Sequence, residues 1–240
     1  MDEVLKKFTD PYERKARLYP TLMAGLPAIV LIGLYTDWLD LGLENALLIA
    51  VVAAVLFWLA GQTRQLGKAV ERRVVPTWEG MPSVTMLRHR DPNLDRYTTE
   101  RYHSAAERLT GMAMPTGEEE EADPADADER YHAVTSALLP KTRDTGEYAL
   151  LFKENIAYGF WRNLLGLKPI GLCVAITVGV IGLWLDRDRL LIGQLPEGSE
   201  LALVVVGIVA SLTWLTVTEN AVREAANSYA RRLLEALDTL

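Results

Sequence analysis

Residues 43–61 read LENALLIAVVAAVLFWLAG, and Glu44 is the only charged residue in this stretch. Residues 18–38 contain one charged residue, Asp37, and residues 169–185 and 201–217 contain none. Each stretch is close to the ~20 apolar residues that an α-helix needs to cross a bilayer core. Apolar side chains surround each segment on all sides, whereas a helix in a soluble protein keeps one polar face. The sequence therefore predicts an all-α membrane protein with four transmembrane helices.

The distribution of basic residues predicts the orientation of these spans. Of the 25 lysines and arginines, only Arg187 and Arg189 fall in the turns after the first and third spans. Five basic residues precede the first span: Lys6, Lys7, Arg14, Lys15 and Arg17. Because cytoplasmic loops of membrane proteins are enriched in Lys and Arg, both termini are expected in the cytoplasm. The expected location is the bacterial cytoplasmic (inner) membrane.

This topology divides the chain into five segments. They are a cytosolic amphipathic N-terminal helix at 1–17, a transmembrane hairpin at 18–61, a helical cytosolic insert at 62–168, a second hairpin at 169–218 and a cytosolic C-terminal helix at 219–240. The tryptophans support the arrangement, since interfacial tryptophans mark the ends of spans. Trp38 and Trp184 fall at the outer ends, and Trp58, Trp161 and Trp214 fall near the inner ends.

The spans carry small residues at intervals of four and no Asp, Glu, Lys, Arg or His in their interiors. Ion pathways and proton relays require such ionisable groups, which argues against a conventional coupled transporter. Small residues let two helix backbones approach closely. The pattern predicts helix packing, either within one bundle or between subunits of a homo-oligomer, at Ala46, Ala50, Ala54, Gly171, Ala175, Gly179, Gly207 and Ser211.

Local signals predict where the cytosolic helices begin and end. Asp10, Asp91 and Asp123 each precede a proline, a pair typical of a helix N-cap, so helices are expected to begin near residues 11, 92–97 and 124. PTWEGMP, residues 76–82, should interrupt the helix that continues from the second span. EEEEADPADADE, residues 118–129, is interpreted as a solvated loop, and Gly166 as a helix stop just before the third span.

The tetrapeptide ERYH occurs twice, at residues 100–103 and 129–132. On helices, Glu-x-x-His places both side chains on one face, as in di-iron carboxylate proteins, which makes Glu100, His103, Glu129 and His132 candidate metal ligands. Such sites also need a glutamate from each of two further helices, and the 104–128 segment leaves little room for one. Surface pairing of Glu with His is the favoured interpretation, and no cofactor is predicted.

RHRD, residues 88–91, is a second candidate site. An arginine cluster beside the free N–H groups of a helix start can hold a phosphate or another anion, so Arg88, His89 and Arg90 are candidate anion ligands. Salt bridges to nearby acids or to lipid phosphates are the alternative.

Two longer stretches resemble bacterial multi-pass membrane proteins to which no activity is attached: RHRDPNLDRYTTERYH at 88–103 and ENIAYGFWRNLLGLKPIG at 154–171. The resemblance implies a membrane location and no catalytic residues. The layout of two spans, a cytosolic insert and two further spans is also similar to four-span effectors of bacterial antiviral signalling, by analogy of architecture alone.

The chain lacks the common sequence motifs of hydrolases, nucleotide-binding proteins and zinc proteases, which favours a non-enzymatic role. The leading hypothesis is an inner-membrane protein whose cytosolic insert binds a protein partner or a small anionic ligand and couples that binding to the spans. The alternatives are an oligomeric pore or membrane-disrupting effector and, third, a metalloenzyme using His103 and His132. The net charge of −7 gives no reason to expect a nucleic-acid partner.

Overall fold

The computed structural model describes residues 10–36 and 42–240, and all regular structure in these ranges is helical. The predicted N-terminal helix lies partly outside these ranges, as do Lys6, Lys7 and Trp38. The helices are α1 Glu13–Tyr35, α2 Leu43–Val74, α3 Pro82–Thr85, α4 Arg96–Thr110, α5 Gly117–Ala122, α6 Pro124–Lys141, α7 Ala149–Leu185, α8 Arg187–Leu191, α9 Gly198–Thr216 and α10 Glu219–Glu235.

Four of these helices, α1, α2, α7 and α9, are long and apolar enough to cross a membrane. Their most apolar windows have mean hydropathy values between 1.7 and 2.2. The prediction of a helical protein with four candidate membrane-spanning helices is therefore confirmed.

The chain folds into two compact units. The first, here called the span unit, comprises Met1–Val70 and Gly159–Glu219. The second, here called the insert unit, comprises Glu71–Tyr158 and Asn220–Leu240. Helices α2 and α7 each contribute residues to both units, and the C-terminal helix α10 belongs to the insert unit from Asn220 onward.

Glycines bring α7 and α9 into close contact within the span unit. A Cβ atom added to Gly207 would lie 2.7 Å from the Cα atom of Gly179, and one added to Gly171 would overlap the Trp214 ring. Ala175 is fully buried on the same face of α7. These small residues therefore pack two helices of the same chain against each other, one of the two roles predicted for them.

The small residues of α2 have a different environment. Ala46, Ala50 and Ala54 are all exposed, and only 6% of the apolar window of α2 is buried. Large side chains beside them, such as Val51 and Trp58, are more than half exposed. The N-terminal half of α2 thus presents an apolar surface that the residues of the described ranges leave open.

The C-terminal half of α2 crosses α7 closely. A Cβ atom on Gly166 would lie 2.8 Å from the backbone carbon of Leu66, and one on Gly67 would overlap the Asn163 side chain. The Nδ2 atom of Asn163 donates to the backbone oxygen of Ala16 at 2.7 Å, which adds α1 to the crossing. The prediction that Gly166 ends a helix is wrong, because α7 continues through this glycine to Leu185.

Helices begin close to all three predicted starts, at Glu13, Arg96 and Pro124, but one of the three predicted N-caps is wrong. Asp10 accepts hydrogen bonds from the N–H groups of Tyr12 and Glu13, and Asp123 caps α6. Asp91 does not cap a helix. Asp95 caps α4 in its place, since its carboxylate accepts from both the backbone N–H and the hydroxyl of Thr98.

The acidic run at 118–129 is not a solvated loop. Residues Gly117–Ala122 form α5, which begins with a capping box in which Thr116 and Glu119 bond to each other's backbone N–H groups. Glu120 is buried at 4% exposure. This carboxylate is therefore part of the interior of the insert unit.

The core of the insert unit lies between α4, α6 and the C-terminal helix. Tyr102 and Tyr131, one from each ERYH copy, are both buried in it, as predicted. The C-terminal segment contributes Leu233, Leu234 and Leu237. Helix α10 therefore completes a hydrophobic core within its own chain.

The α2–α7 crossing gives a first prediction. Replacing Gly166 by alanine should lower the free energy of unfolding by about 1–3 kcal/mol, because the added methyl group would overpack a backbone contact. Gly33→Ala is the matched control, since a Cβ atom at Gly33 meets no atom within 4 Å. Thermal unfolding of the detergent-solubilised full chain, followed by circular dichroism, measures both. Equal Tm values for the two variants would contradict the close crossing.

Candidate functional site

The RHRD segment lies between α3 and α4 and is anchored by two core residues. Met86 and Leu87, directly before it, are fully buried. The turn that precedes α3 contains Glu79 at φ 61° and Gly80 at φ 135°. Glycine relieves the strain of a left-handed turn at the second of these positions. The turn and the anchored segment together place the Glu79 backbone oxygen beside the side chain of Arg88.

Arg88 is buried and fully engaged within the insert unit. Its Nε and one terminal nitrogen donate to the two carboxylate oxygens of Asp128, at 2.8 and 2.7 Å. The guanidinium also donates to the Glu79 backbone oxygen at 2.8 Å and to the Glu79 carboxylate at 3.3 Å. The hydrogen bonds to Asp128 raise the pKa of Arg88 above its ordinary value. Arg88 therefore stays charged and binds carboxylates of its own chain.

Glu120 forms a second buried polar cluster with the residue after Arg88. One of its carboxylate oxygens accepts from the backbone N–H of His89 and from the Tyr131 hydroxyl, each at 2.8 Å. Arg90 is half exposed, with its Nε 3.9 Å from the other Glu120 oxygen. Burial, and then the hydrogen bond to Glu120, raise the pKa of Tyr131. The phenol is therefore neutral and serves as a hydrogen-bond donor.

His103 connects α4 to the same segment. Its Nε2 lies 2.7 Å from the Leu87 backbone oxygen, so this nitrogen carries the proton and donates. The ring packs edge-on against His89, with centroids 4.7 Å apart, and lies 5.5 Å from the Tyr131 ring. Burial lowers the pKa of His103 below its ordinary value. His103 is therefore a neutral structural donor.

A groove of about 670 Å³ opens on the surface beside Arg88. It brings together residues from both predicted sites, since Arg88, Glu129 and His132 all line it. The remaining lining residues are Val75, Glu79, Gly80, Met81, Val84, Asp128, Ala133 and Ser136. The groove is thus an acidic and apolar surface whose arginine is already paired with the carboxylates of Asp128 and Glu79.

The other two candidate metal ligands, Glu100 and His103, do not line this groove. Glu100 is exposed and accepts from Arg96 at 2.7 Å, not from His103. His103 is buried and His132 is exposed. Within residues 10–36 and 42–240, no group of three or more His, Cys, Asp or Glu side chains is arranged to hold a metal ion.

The arginine cluster is also not at a helix start, contrary to prediction. Helix α4 begins at Arg96, and its first N–H groups are capped by Asp95. Arg88, His89 and Arg90 instead occupy an irregular segment whose first two residues bond to Asp128, Glu120 and the Pro115 backbone oxygen. The structure therefore favours the salt-bridge alternative for Arg88.

Sequence reasoning missed the acidic partners of this network. Asp128 and Glu120 lie in the stretch interpreted as a loop. One signal was present, because Thr116 followed three residues later by Glu119 is the sequence pattern of a capping box and predicts a helix there. The sequence carried no comparable signal for Glu79, which reaches Arg88 through a turn.

No protein-family model matches this chain, and no curated protein or solved structure matches it.

The Arg88 network gives a second prediction. Arg88→Gln should destabilise the insert unit by about 1.5–3 kcal/mol, since it removes charge-assisted hydrogen bonds to Asp128, whose partly exposed carboxylate can then be hydrated. Arg88→Gln combined with Asp128→Asn should cost less than the sum of the two single variants. Hydrogen exchange of residues 86–95 and α6 in the full chain measures the opening free energy.

The control for this cycle is Arg96→Gln, which removes an exposed pair with Glu100 and should leave stability almost unchanged, because exposed ion pairs contribute little. Additive effects of the Arg88 and Asp128 substitutions would show that the two side chains do not interact energetically.

His103 gives a prediction about pH. Because its pKa is lower in the folded chain than in the unfolded chain, protonation favours unfolding. Stability should therefore be greatest above pH ~6.5, the ordinary histidine value, and should fall as the pH decreases below it. His103→Gln, which retains an N–H donor for Leu87, should flatten this dependence, whereas His132→Gln at an exposed position should not. Tm measured between pH ~5 and ~8, a range that includes the ordinary histidine pKa of ~6.5, tests both variants.

Proposed function

We propose that this protein is a non-enzymatic, multi-pass inner-membrane protein whose insert unit binds a cytosolic protein partner and couples that binding to the spans. The observation that carries the proposal is the groove of about 670 Å³ beside Arg88. Its volume lies in the range of about 300–1,000 Å³ that is typical of binding sites. Fixed polar groups surround it, so its shape is pre-organised.

The chemistry of the groove favours a protein segment over a small anion. Arg88 already bonds to two carboxylates, while Glu79 and Glu129 are exposed at the rim. Met81 and Val84 supply apolar surface. An anion would meet carboxylates here, whereas a segment with a basic residue beside apolar residues would be attracted to both features. The partner proposed is therefore a basic, partly apolar peptide segment.

The coupling part of the proposal depends on chain connectivity. The chain passes from one unit to the other within α2 and again within α7, with no intervening loop at either place. A change in the insert unit that alters either helix would reach residues of the span unit along a continuous hydrogen-bonded backbone.

An oligomeric pore is the second candidate function. It is supported by the exposed alanines of α2, a face suited to a second copy of the chain. A polar pore lining receives less support, because Ser211 and Thr213 donate back to carbonyl groups of their own helix. The pore therefore stays an alternative to the binding protein.

Site-specific photo-crosslinking tests the binding function. A photoreactive phenylalanine analogue in place of Ser136, on the groove wall, should yield a protein adduct in cells. The same analogue in place of Tyr97, which is 80% exposed but does not line the groove, should not. Glu129→Lys should reduce the Ser136 adduct at least tenfold, since like charges across an interface cost several kcal/mol.

Equal adduct yields at the two positions, or a yield unaffected by Glu129→Lys, would contradict the groove as a binding site. A loss of membrane potential on induced expression, read with a dye, would support the pore instead.

A further inference from the structure

A second groove lies within the span unit, between the beginning of α1 and the middle of α2. We propose that it binds one anionic phospholipid, with the phosphate held by Arg64 and Lys68 and an acyl chain lying along the apolar part. The groove encloses about 850 Å³. It is separate from the groove beside Arg88, so this proposal goes beyond the proposed function and does not depend on it.

The α2 side of this groove is one continuous helix face. Ala53, Phe57, Ala60, Arg64 and Lys68 recur at intervals of three or four residues along it. Leu18 and Leu22 of α1 form the opposite wall. From Ala53 to Gly61 the α2 face is apolar over about 12 Å, at 1.5 Å per residue, which approaches the ~15 Å hydrocarbon depth of one leaflet.

The polar end of the groove has an excess of positive charge. Arg17 forms an ion pair with Glu13, and both residues line the groove. Arg64 and Lys68 are exposed and have no hydrogen-bond or ion-pair partner among the residues that the structure describes. The buried Nε atom of Arg17 also has no hydrogen-bond acceptor there. Two cations and one further donor are therefore available to an anionic group.

The order of these features selects a lipid as the occupant. An acyl chain and a phosphate are joined at one point, and the groove offers an apolar section that leads directly into a cationic one. A free phosphate would leave the apolar section unfilled. A zwitterionic lipid would also fill the apolar section, but its headgroup would bring a further positive charge toward Arg64 and Lys68. Lipids with net negative charge are therefore preferred.

Gly61 provides a way to fill the groove without altering its charge. It lies where the apolar section meets the cationic section, and a Cβ atom at this position meets no atom within 4 Å. Gly61→Leu should therefore occupy space that the acyl chain needs. Gly33→Leu is the matched control, since Gly33 is equally open and lies outside the groove.

Native mass spectrometry of the full chain in mild detergent tests the proposal, with phosphatidylglycerol and phosphatidylcholine of identical chains as probes. The wild-type protein should bind phosphatidylglycerol about 20- to 30-fold more tightly, since each of the two cations contributes about fivefold. Arg64→Gln with Lys68→Gln should abolish this preference. Arg223→Gln with Arg231→Gln, which removes two exposed arginines of α10, should leave it intact.

Gly61→Leu should weaken binding of both lipids, and Gly33→Leu should weaken neither. Glycerol 3-phosphate, the anionic group without chains, should not displace the lipid at equal concentration.

Equal affinity of the wild-type protein for the two lipids would overturn the proposal, as would an unchanged preference in the Arg64/Lys68 double variant. Displacement by glycerol 3-phosphate would replace the lipid site with a soluble-anion site. Circular dichroism and elution volume confirm that each variant is folded.

Discussion

A buried guanidinium group determines the geometry of the insert unit around its groove. Arg88 is only 6% exposed, and a cation removed from water destabilises a fold unless its N–H groups find acceptors. Those acceptors are Asp128 on α6 and Glu79 on a left-handed turn. Because one side chain must reach both, the loop, the turn and the helix are held at fixed distances. The same three elements form much of the groove wall, so the requirement to pair Arg88 also shapes the groove.

Glu120 extends the same principle to the next residue. Its carboxylate accepts from the His89 backbone and from Tyr131, and it therefore joins the irregular segment to α6 from inside the unit. Its sequence context, four consecutive glutamates, gave no means of choosing the inward-facing residue. Local pattern predicts that a helix begins at Thr116, but the face that turns inward depends on how α5 contacts α6. A buried carboxylate within an acidic run is thus a tertiary property.

The four candidate membrane-spanning helices were predictable from sequence because the signal is local: length and uninterrupted apolar character are enough to mark each one. The buried tyrosines of the two ERYH copies followed from helical periodicity. The errors arose where a local rule competed with a distant contact. Gly166 resembles a helix stop, but its lack of a side chain serves the close approach of Leu66. Asp91 precedes a proline, yet Asp95 became the cap because Thr98 offers it a hydroxyl as well as an N–H group.

The repeated small residues show how one sequence pattern can have two structural outcomes. In α7 and α9, glycines allow close contact between two helices of the same chain. In α2, alanines at the same spacing are exposed, so this helix presents apolar surface to its surroundings. An exposed apolar face of this extent is stable only against lipid or another protein surface. The groove with Arg64 and Lys68 lies on the same helix, where apolar surface gives way to uncompensated positive charge. An anionic lipid has the same order of features, an apolar acyl chain followed by a negatively charged phosphate. Such a lipid can therefore contact both the apolar section and the cationic section of this groove.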